Sequence, residues 1–293
     1  MTEIPFCAEP DPNPRAPRLT LPANACDTHA HLFGPAESYP YQANRGYTPP
    51  DATDAAYFAL HRALGMTRGV LTQPSVYGID NRRMLDAVAR HPDQLRAVAA
   101  VDETATDAAL AVLDKEGVRG IRVNLVDKGG MPFDSFAAVA RMAARIAPLG
   151  WHLELLVHAH DYPDFAPTMR ALPVDIVVGH LGYMRTSEGI DHSGFRSFLE
   201  LVAEGRCWVK LTAPYRITTQ QTVPYDDVAP FARRLIEIRP DRMLWGSDWP
   251  HVATKLPMPN DGDLLDLLGD WAPDAAVRRQ ILVDNPARLY GFG

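Results

Sequence analysis

The chain has 293 residues, 46% of them hydrophobic and 22% charged, which is the composition of a globular protein and excludes a disordered or fibrous one. Its net charge of −7 carries no run of like charges, and only four of its 29 basic residues are lysines, Lys115, Lys128, Lys210 and Lys255, so neither nucleic acid nor an anionic membrane is an expected partner. Cys7, Cys26 and Cys207 are widely spaced and odd in number, which suggests neither a disulfide framework nor a cysteine metal site and points to a reducing compartment.

Residues 1–22, rich in proline and polar side chains, are read as a surface arm. They have neither the basic start nor the apolar run of a signal peptide, so a cytoplasmic protein is expected. From residue 23 to 293 short β-rich runs alternate with stretches of helical period. The predicted strands are Ala25–His31, Thr67–Thr72, Leu95–Val101, Val118–Asn124, His152–His158, Asp175–His180, Cys207–Thr212 and Met243–Ser247. Helices are expected within 51–65, 80–92, 106–117, 133–150, 193–205 and 225–240, several opening on Asp, Ser or Thr and closing on Gly or Pro. Eight such steps in one chain predict an α/β fold, a single-domain (β/α)8 TIM barrel. A doubly wound open sheet is the alternative, disfavoured because the first strand runs into "HLFGPAESYPY" and not a glycine-rich phosphate loop.

In a barrel the chemistry sits at the C-terminal strand ends, and there the polar residues collect. The first strand, "CDTHAHLFG", places Asp27, His29 and His31 at every second position, on one face and into the lumen. Two inward imidazoles on one strand are costly to bury without a task. Ser75 follows the second strand, Arg122 and Asn124 end the fourth, and His158 and His160 follow the fifth. His180 ends the sixth strand, Tyr215 and Arg216 follow the seventh, and Asp248 and His251 follow the eighth. His158, His160 and His251 read as structural hydrogen-bonders. Asp248 beside His29, His31 and His180 reads as a general base. Arg122 and Arg216 are candidate anion binders, with Ser75 and Tyr47 as loop donors.

This constellation resembles the amidohydrolase superfamily, specifically the amidohydrolase-2 branch that includes 2-pyrone-4,6-dicarboxylate lactonases and sugar-acid lactonases. The resemblance runs from about Ala23 to Phe292 through "DTHAHLFGP", "GVLTQPS", "GVRGIRVN", "IVVGHLG", "WGSDWPH" and "NPARLYGF". It implies a hydrolase that opens a carboxylate-bearing lactone of pyrone, muconolactone or sugar-acid type. Asp248 would activate water, His29, His31 and His180 would polarise the carbonyl, and Ser75, Arg122, Arg216 and Tyr47 would hold the substrate. The branch departs here in three places: Tyr183 follows "GHLG" where the dicarboxylate enzymes have arginine, the tyrosine of the fifth strand is replaced in "LELLVHAH", and no second arginine follows "GIRVN". These changes leave 2-pyrone-4,6-dicarboxylate itself unassigned as substrate.

Strand four ends in "IRVN" without the lysine that bridges binuclear relatives, Lys128 lying beyond it. A binuclear site is therefore not expected, and the resemblance to a branch with metal-independent members implies no obligatory metal. The alternative is one divalent ion such as Zn²⁺ on His29, His31 and Asp248, with His158 or His180 as a further ligand. The competing functions are a lactone isomerase on the same scaffold and a metal-dependent decarboxylase. A barrel that binds without catalysis would lack the base or a histidine. The expected partner is a small carboxylated lactone, and an oligomer is compatible with the sequence.

Overall fold

Along the chain, strands β1 (Cys26–Ala30), β2 (Arg68–Thr72), β3 (Leu95–Ala99), β4 (Val118–Asn124), β5 (His152–Leu156), β6 (Ile176–Val178), β7 (Cys207–Leu211) and β8 (Met243–Trp245) pair in parallel in sequence order. The structure, a computed structural model, describes residues 4–127, 132–162 and 165–293. Lys128 lies outside the described residues. Beyond β8 the chain closes on β1: the His31 N–H donates to the Trp249 carbonyl at 2.8 Å and the Asp248 N–H to the His29 carbonyl at 2.8 Å. The result is a (β/α)8 barrel in one domain, and the open-sheet alternative falls away.

The helices are α1 (Asp54–Leu64), α2 (Arg82–Arg90), α3 (Asp107–Lys115), α4 (Phe136–Ile146), α5 (Phe165–Arg170), α6 (Ser193–Ala203), α7 (Ala229–Ile238) and α8 (Asp261–Trp271), followed by α9 (Ala275–Arg279) and α10 (Asn285–Tyr290). Their starts follow local chemistry. Thr53, Thr106 and Ser135 each accept a hydrogen bond from a first-turn amide of α1, α3 and α4, satisfying donors that the helix itself cannot. None of the helices among the described residues is long and apolar enough to cross a membrane.

Val70, Val98, Val177, Trp208 and Leu244 from five strands form a buried cluster with Cys26, Tyr290 and Phe292, so α10 and the residues after it pack against the lower part of the barrel. Above that cluster apolar packing gives way to charge. Strands β3, β5, β6 and β8 end two residues and β1 and β7 one residue earlier than the hydrophobic pattern predicts, because their polar ends leave the ladder to build the mouth, while β2 and β4 end where expected.

One orientation differs from expectation. The β1–β2 register shifts between Asp27 and Ala30, and this irregularity turns Asp27 away from His29 and His31. Its carboxylate accepts from Tyr57 Oη of α1 at 3.2 Å, from the Ser247 N–H at 2.9 Å and from Ser247 Oγ at 2.6 Å. Burial pushes the Asp27 carboxyl up to about 6, against the pull of the Ser247 and His29 amides. Asp27 thus fastens β1 to the residue next to Asp248, without facing the lumen.

Residues 4–22 carry no helix and lie against the barrel exterior. The Cys7 N–H donates to the Thr48 carbonyl at 2.9 Å, and farther along the Arg18 N–H and Nε donate to Asp266 of α8 at 2.7 and 3.0 Å, with Arg15 on Asp263 and Asp266. Close approach requires glycine in α8: a Cβ on Gly262 would meet the Arg15 carbonyl and one on Gly269 would meet Leu19. Burial alone would raise the Asp266 carboxyl, but hydrogen bonds from Arg15 and Arg18 outweigh it and hold it below its usual range. A depressed folded value contributes stability above the unfolded pKa that is lost as pH falls through the folded one. The melting temperature of the native chain should therefore exceed that of Asp266→Asn above about pH 4, and the gap should close on further acidification. A gap unchanged in acid would show that the arm is held by something else.

Candidate active site

The site is assembled at the β1–β8 seam. His29 and His31 come from β1 and the residue after it, His180 from the turn after β6, Tyr215 and Arg216 from the turn after β7, and Asp248 from the residues closing the ring. Both His180 (φ 51°) and Asp248 (φ 63°) sit in the left-handed region that non-glycine residues avoid, strain that is typical of positions whose side chain must be aimed.

Three imidazole Nε2 atoms converge on one oxygen. Asp248 Oδ1 lies 3.4 Å from His29, 3.7 Å from His31 and 3.8 Å from His180. The other oxygen, Oδ2, is held from behind: Tyr215 Oη donates at 2.6 Å, and Arg216 donates through Nε at 3.0 Å and Nη2 at 2.9 Å. Tyr215 also contacts His251 Nδ1 at 3.0 Å, and His251 Nε2 reaches Asp261 at 3.1 Å. Burial would raise the Asp248 carboxyl, but the Arg216 charge, His180 and His31 hold it well below the usual carboxylate range. Asp248 is therefore ionised, with one oxygen anchored and the other turned to the histidines.

The histidines are uncharged. Burial lowers all three, taking His29 to about 3 with help from the Lys210 charge and against Glu154. His31 Nδ1 lies 2.7 Å from the Thr72 carbonyl, which only accepts, so Nδ1 carries the proton and Nε2 presents a lone pair. His180 Nδ1 lies 2.7 Å from Thr212 Oγ1, and that oxygen already accepts from the His180 N–H at 3.2 Å. Behind His29 sits a charged pair: Lys210 Nζ is 3.1 Å from its Nδ1 and 2.6 Å from Glu154 Oε2, with Lys210 and Glu154 both buried. Among the described residues, His29 Nε2 and Asp248 Oδ1 are buried atoms without a hydrogen-bond partner.

Asp248 faces a cleft whose wall includes His31, His180, Tyr47, Arg122, Leu156 and Val252, and His29 reaches Asp248 Oδ1 without itself lining that wall. Arg122 and Ser75 continue into an adjoining hollow beside Gln73 and Asn124. Arg122 gives Nη1 to the Gln73 carbonyl at 2.7 Å, and its other nitrogens have no protein partner among the described residues. The structure thus brings together Asp248, His29, His31, His180, Arg122, Arg216, Tyr47 and Ser75. Of these, Arg216 lies against Asp248, also donates to the Val252 carbonyl at 2.9 Å, and has the Tyr183 hydroxyl beside it. His158 stands apart, with Nδ1 facing the Tyr183 carbonyl at 3.4 Å. Among the described residues, the donor atoms grouped closely enough for a cation are those of His29, His180 and Asp248, each within 4.8 Å of the others.

Sequence reasoning missed Lys210, Glu154 and the role of Tyr215. The signal was present for the first two: "CWVKL" and "HLELL" each put one carboxylate or ammonium inside an otherwise largely apolar strand. A lone charge there reads as an interruption, and only the ring closure shows that the two meet.

The chain belongs to the amidohydrolase family, whose pattern it matches over residues 26–292. It is 41% identical to a 2-pyrone-4,6-dicarboxylate hydrolase of Comamonas testosteroni, over 95% of this chain and 93% of the relative. It is 40% identical to a 4-sulfomuconolactone hydrolase of Rhizobium radiobacter, over 98% of this chain and 97% of the relative. Among solved structures, one described as a putative 2-pyrone-4,6-dicarboxylic acid hydrolase from Pseudomonas putida superposes with a TM-score of 0.79 at 32% identity, covering 93% of this chain and 99% of that one.

Proposed function

We propose that the protein hydrolyses a lactone bearing a carboxylate or another compact anionic group. The observation that carries this reading is the unpartnered Asp248 Oδ1 at the cleft, with the unpartnered His29 Nε2 3.4 Å from it, beside the part-free guanidinium of Arg122. Ester hydrolysis needs an acceptor for the proton of water and donors where the carbonyl oxygen gains charge. The names of the relatives, a pyrone-dicarboxylate hydrolase and a sulfomuconolactone hydrolase, support an anionic lactone.

The reaction runs as follows on these side chains. Asp248 Oδ1 and His31 Nε2, both acceptors, orient a water, and Asp248 takes its proton as the oxygen bonds to the lactone carbonyl carbon. The carbonyl oxygen becomes an oxyanion against the Nε2–H groups of His29 and His180. As the intermediate collapses the ring C–O bond breaks, and the proton on Asp248 passes to the departing ring oxygen. Arg122, Tyr47 and Ser75 hold the anionic end. Arg216 keeps Asp248 ionised and aimed.

A resident cation is the other way to activate water, and the spacing of His29, His180 and Asp248 would allow one. The groups behind the rings argue against it. Thr212 Oγ1, which accepts the His180 amide, can give its own proton to Nδ1, and in that arrangement Nε2 is N–H. Lys210, which has only donors, does the same to His29. Ligation needs lone pairs at those nitrogens, so the residues do not fit a cation in this protonation pattern.

The test is a panel of anionic lactones, including 2-pyrone-4,6-dicarboxylate and 4-sulfomuconolactone, assayed by ring-opening absorbance in ¹⁸O-labelled water. One labelled oxygen in an open-chain acid is the expected product. An unlabelled, ring-shifted lactone would identify an isomerase instead, and loss of carbon dioxide a decarboxylase.

A further inference from the structure

The geometry points to Lys210, paired with Glu154, as the positioning residue that holds His29 in its Nε2–H form and thereby keeps a metal ion out of the site. Of the four lysines in the chain, this one is fully buried inside the barrel. A buried ammonium is expensive unless it is paired. The pairing with Glu154 at 2.6 Å explains how it is tolerated there; it does not explain why a charged pair stands where packed apolar side chains would serve stability equally well. The third group at this point supplies the reason, since Lys210 Nζ lies 3.1 Å from His29 Nδ1.

Two arrangements compete at that nitrogen. If Nδ1 carried the proton it would donate to Glu154 Oε1, 3.3 Å away, and Nε2 would offer a lone pair to the cleft. That is the carboxylate–histidine arrangement that prepares an imidazole to bind a metal. If Nδ1 is bare it accepts from Lys210, and Nε2 carries the proton. The contacts with hydrogen-bond geometry at Nδ1 are those of Lys210 at 3.1 Å, which only donates, and of Thr72 Oγ1 at 3.5 Å, whose one proton also reaches Glu154 Oε1 at 3.5 Å. An Nδ1–H would also point at an ammonium, donor against donor. Lys210 therefore pairs with the other oxygen of Glu154, Oε2, and by donating to Nδ1 displaces the Nδ1–H bond to Oε1, turning a metal-binding arrangement into one that presents a hydrogen-bond donor to the substrate carbonyl.

The role given to His29 rests on the hydrolytic reading above, but the tautomer does not need a substrate to be read. In protein labelled with ¹⁵N-histidine, with His29 assigned by comparison with His29→Asn, the His29 Nδ1 is expected to be pyridine-like and Nε2 pyrrole-like. The opposite pattern overturns the inference whatever the lactone assay gives. Lys210→Met frees Glu154 to accept from Nδ1, so the ¹⁵N pattern should invert and affinity for added zinc should rise by about 10- to 100-fold, the range over which groups behind a ligand tune metal sites. Unchanged zinc affinity and an unchanged tautomer in the folded variant would overturn it. Should Lys210→Met not fold because Glu154 is stranded, Lys210→Met combined with Glu154→Leu removes both charges. There the His29 preference for Nε2–H should disappear, and its persistence would count against Lys210.

Discussion

Asp248→Asn should lower turnover by a factor of about 10²–10⁴, equivalent to about 2.7–5.5 kcal/mol of transition-state stabilisation, while leaving a folded protein. The variant keeps the size of the side chain and retains an oxygen that accepts from Tyr215 and Arg216, and asparagine tolerates the left-handed backbone at φ 63°. What it loses is the proton acceptor facing His29, His31 and His180. The native carboxylate is held well below the ordinary range by Arg216 and the histidines, which makes it a weak base at rest. Its proton transfer is favourable only while charge is growing on the carbonyl oxygen, so the loss should fall on kcat more than on KM. Steady-state kinetics with a thermal melt on the same sample tests this. Turnover within threefold of the native enzyme would remove Asp248 from the reaction.

His180→Asn should reduce kcat by about 10²–10³, the usual consequence of deleting one donor at a developing oxyanion. Asparagine again suits the backbone, at φ 51°, but its shorter side chain does not reach the point from which His180 Nε2 lies 3.8 Å from Asp248. Because His180 lies on the wall of the cleft and not at the Arg122 hollow, KM should change little. A rise in KM with kcat preserved would mean that His180 binds the substrate and takes no part in the chemistry.

The barrel was legible because its signal is repetitive. Eight apolar runs alternating with amphipathic stretches specify strand order without any knowledge of loops, and all eight predicted strands are present. Helix α8 was not, since Gly262 and Gly269 lower its propensity in order to admit the arm, and α5 is short and carries Pro167. At the site, residues on tight local motifs were found: the two histidines of "HAH", His180 in "GHLG" and Asp248 in "SDWPH". The alternation rule failed at Asp27, because a register shift in the ladder reverses a face without leaving a mark in the sequence. The tautomers were equally invisible, since they depend on partners such as Thr72, Thr212 and Lys210 that neighbouring strands bring up from distant parts of the chain.

The ring is closed by the main-chain bonds between His29 and Asp248 and between His31 and Trp249. The residues that seal the barrel are thus the residues that flank its base and its imidazoles. First and last strands must travel the whole contour of the chain to find each other, an encounter that belongs late in folding. A chain emerging from the ribosome therefore carries its histidines long before it carries its base, and no partly wound intermediate has the two in register. Competence therefore waits on the zipping of that one seam.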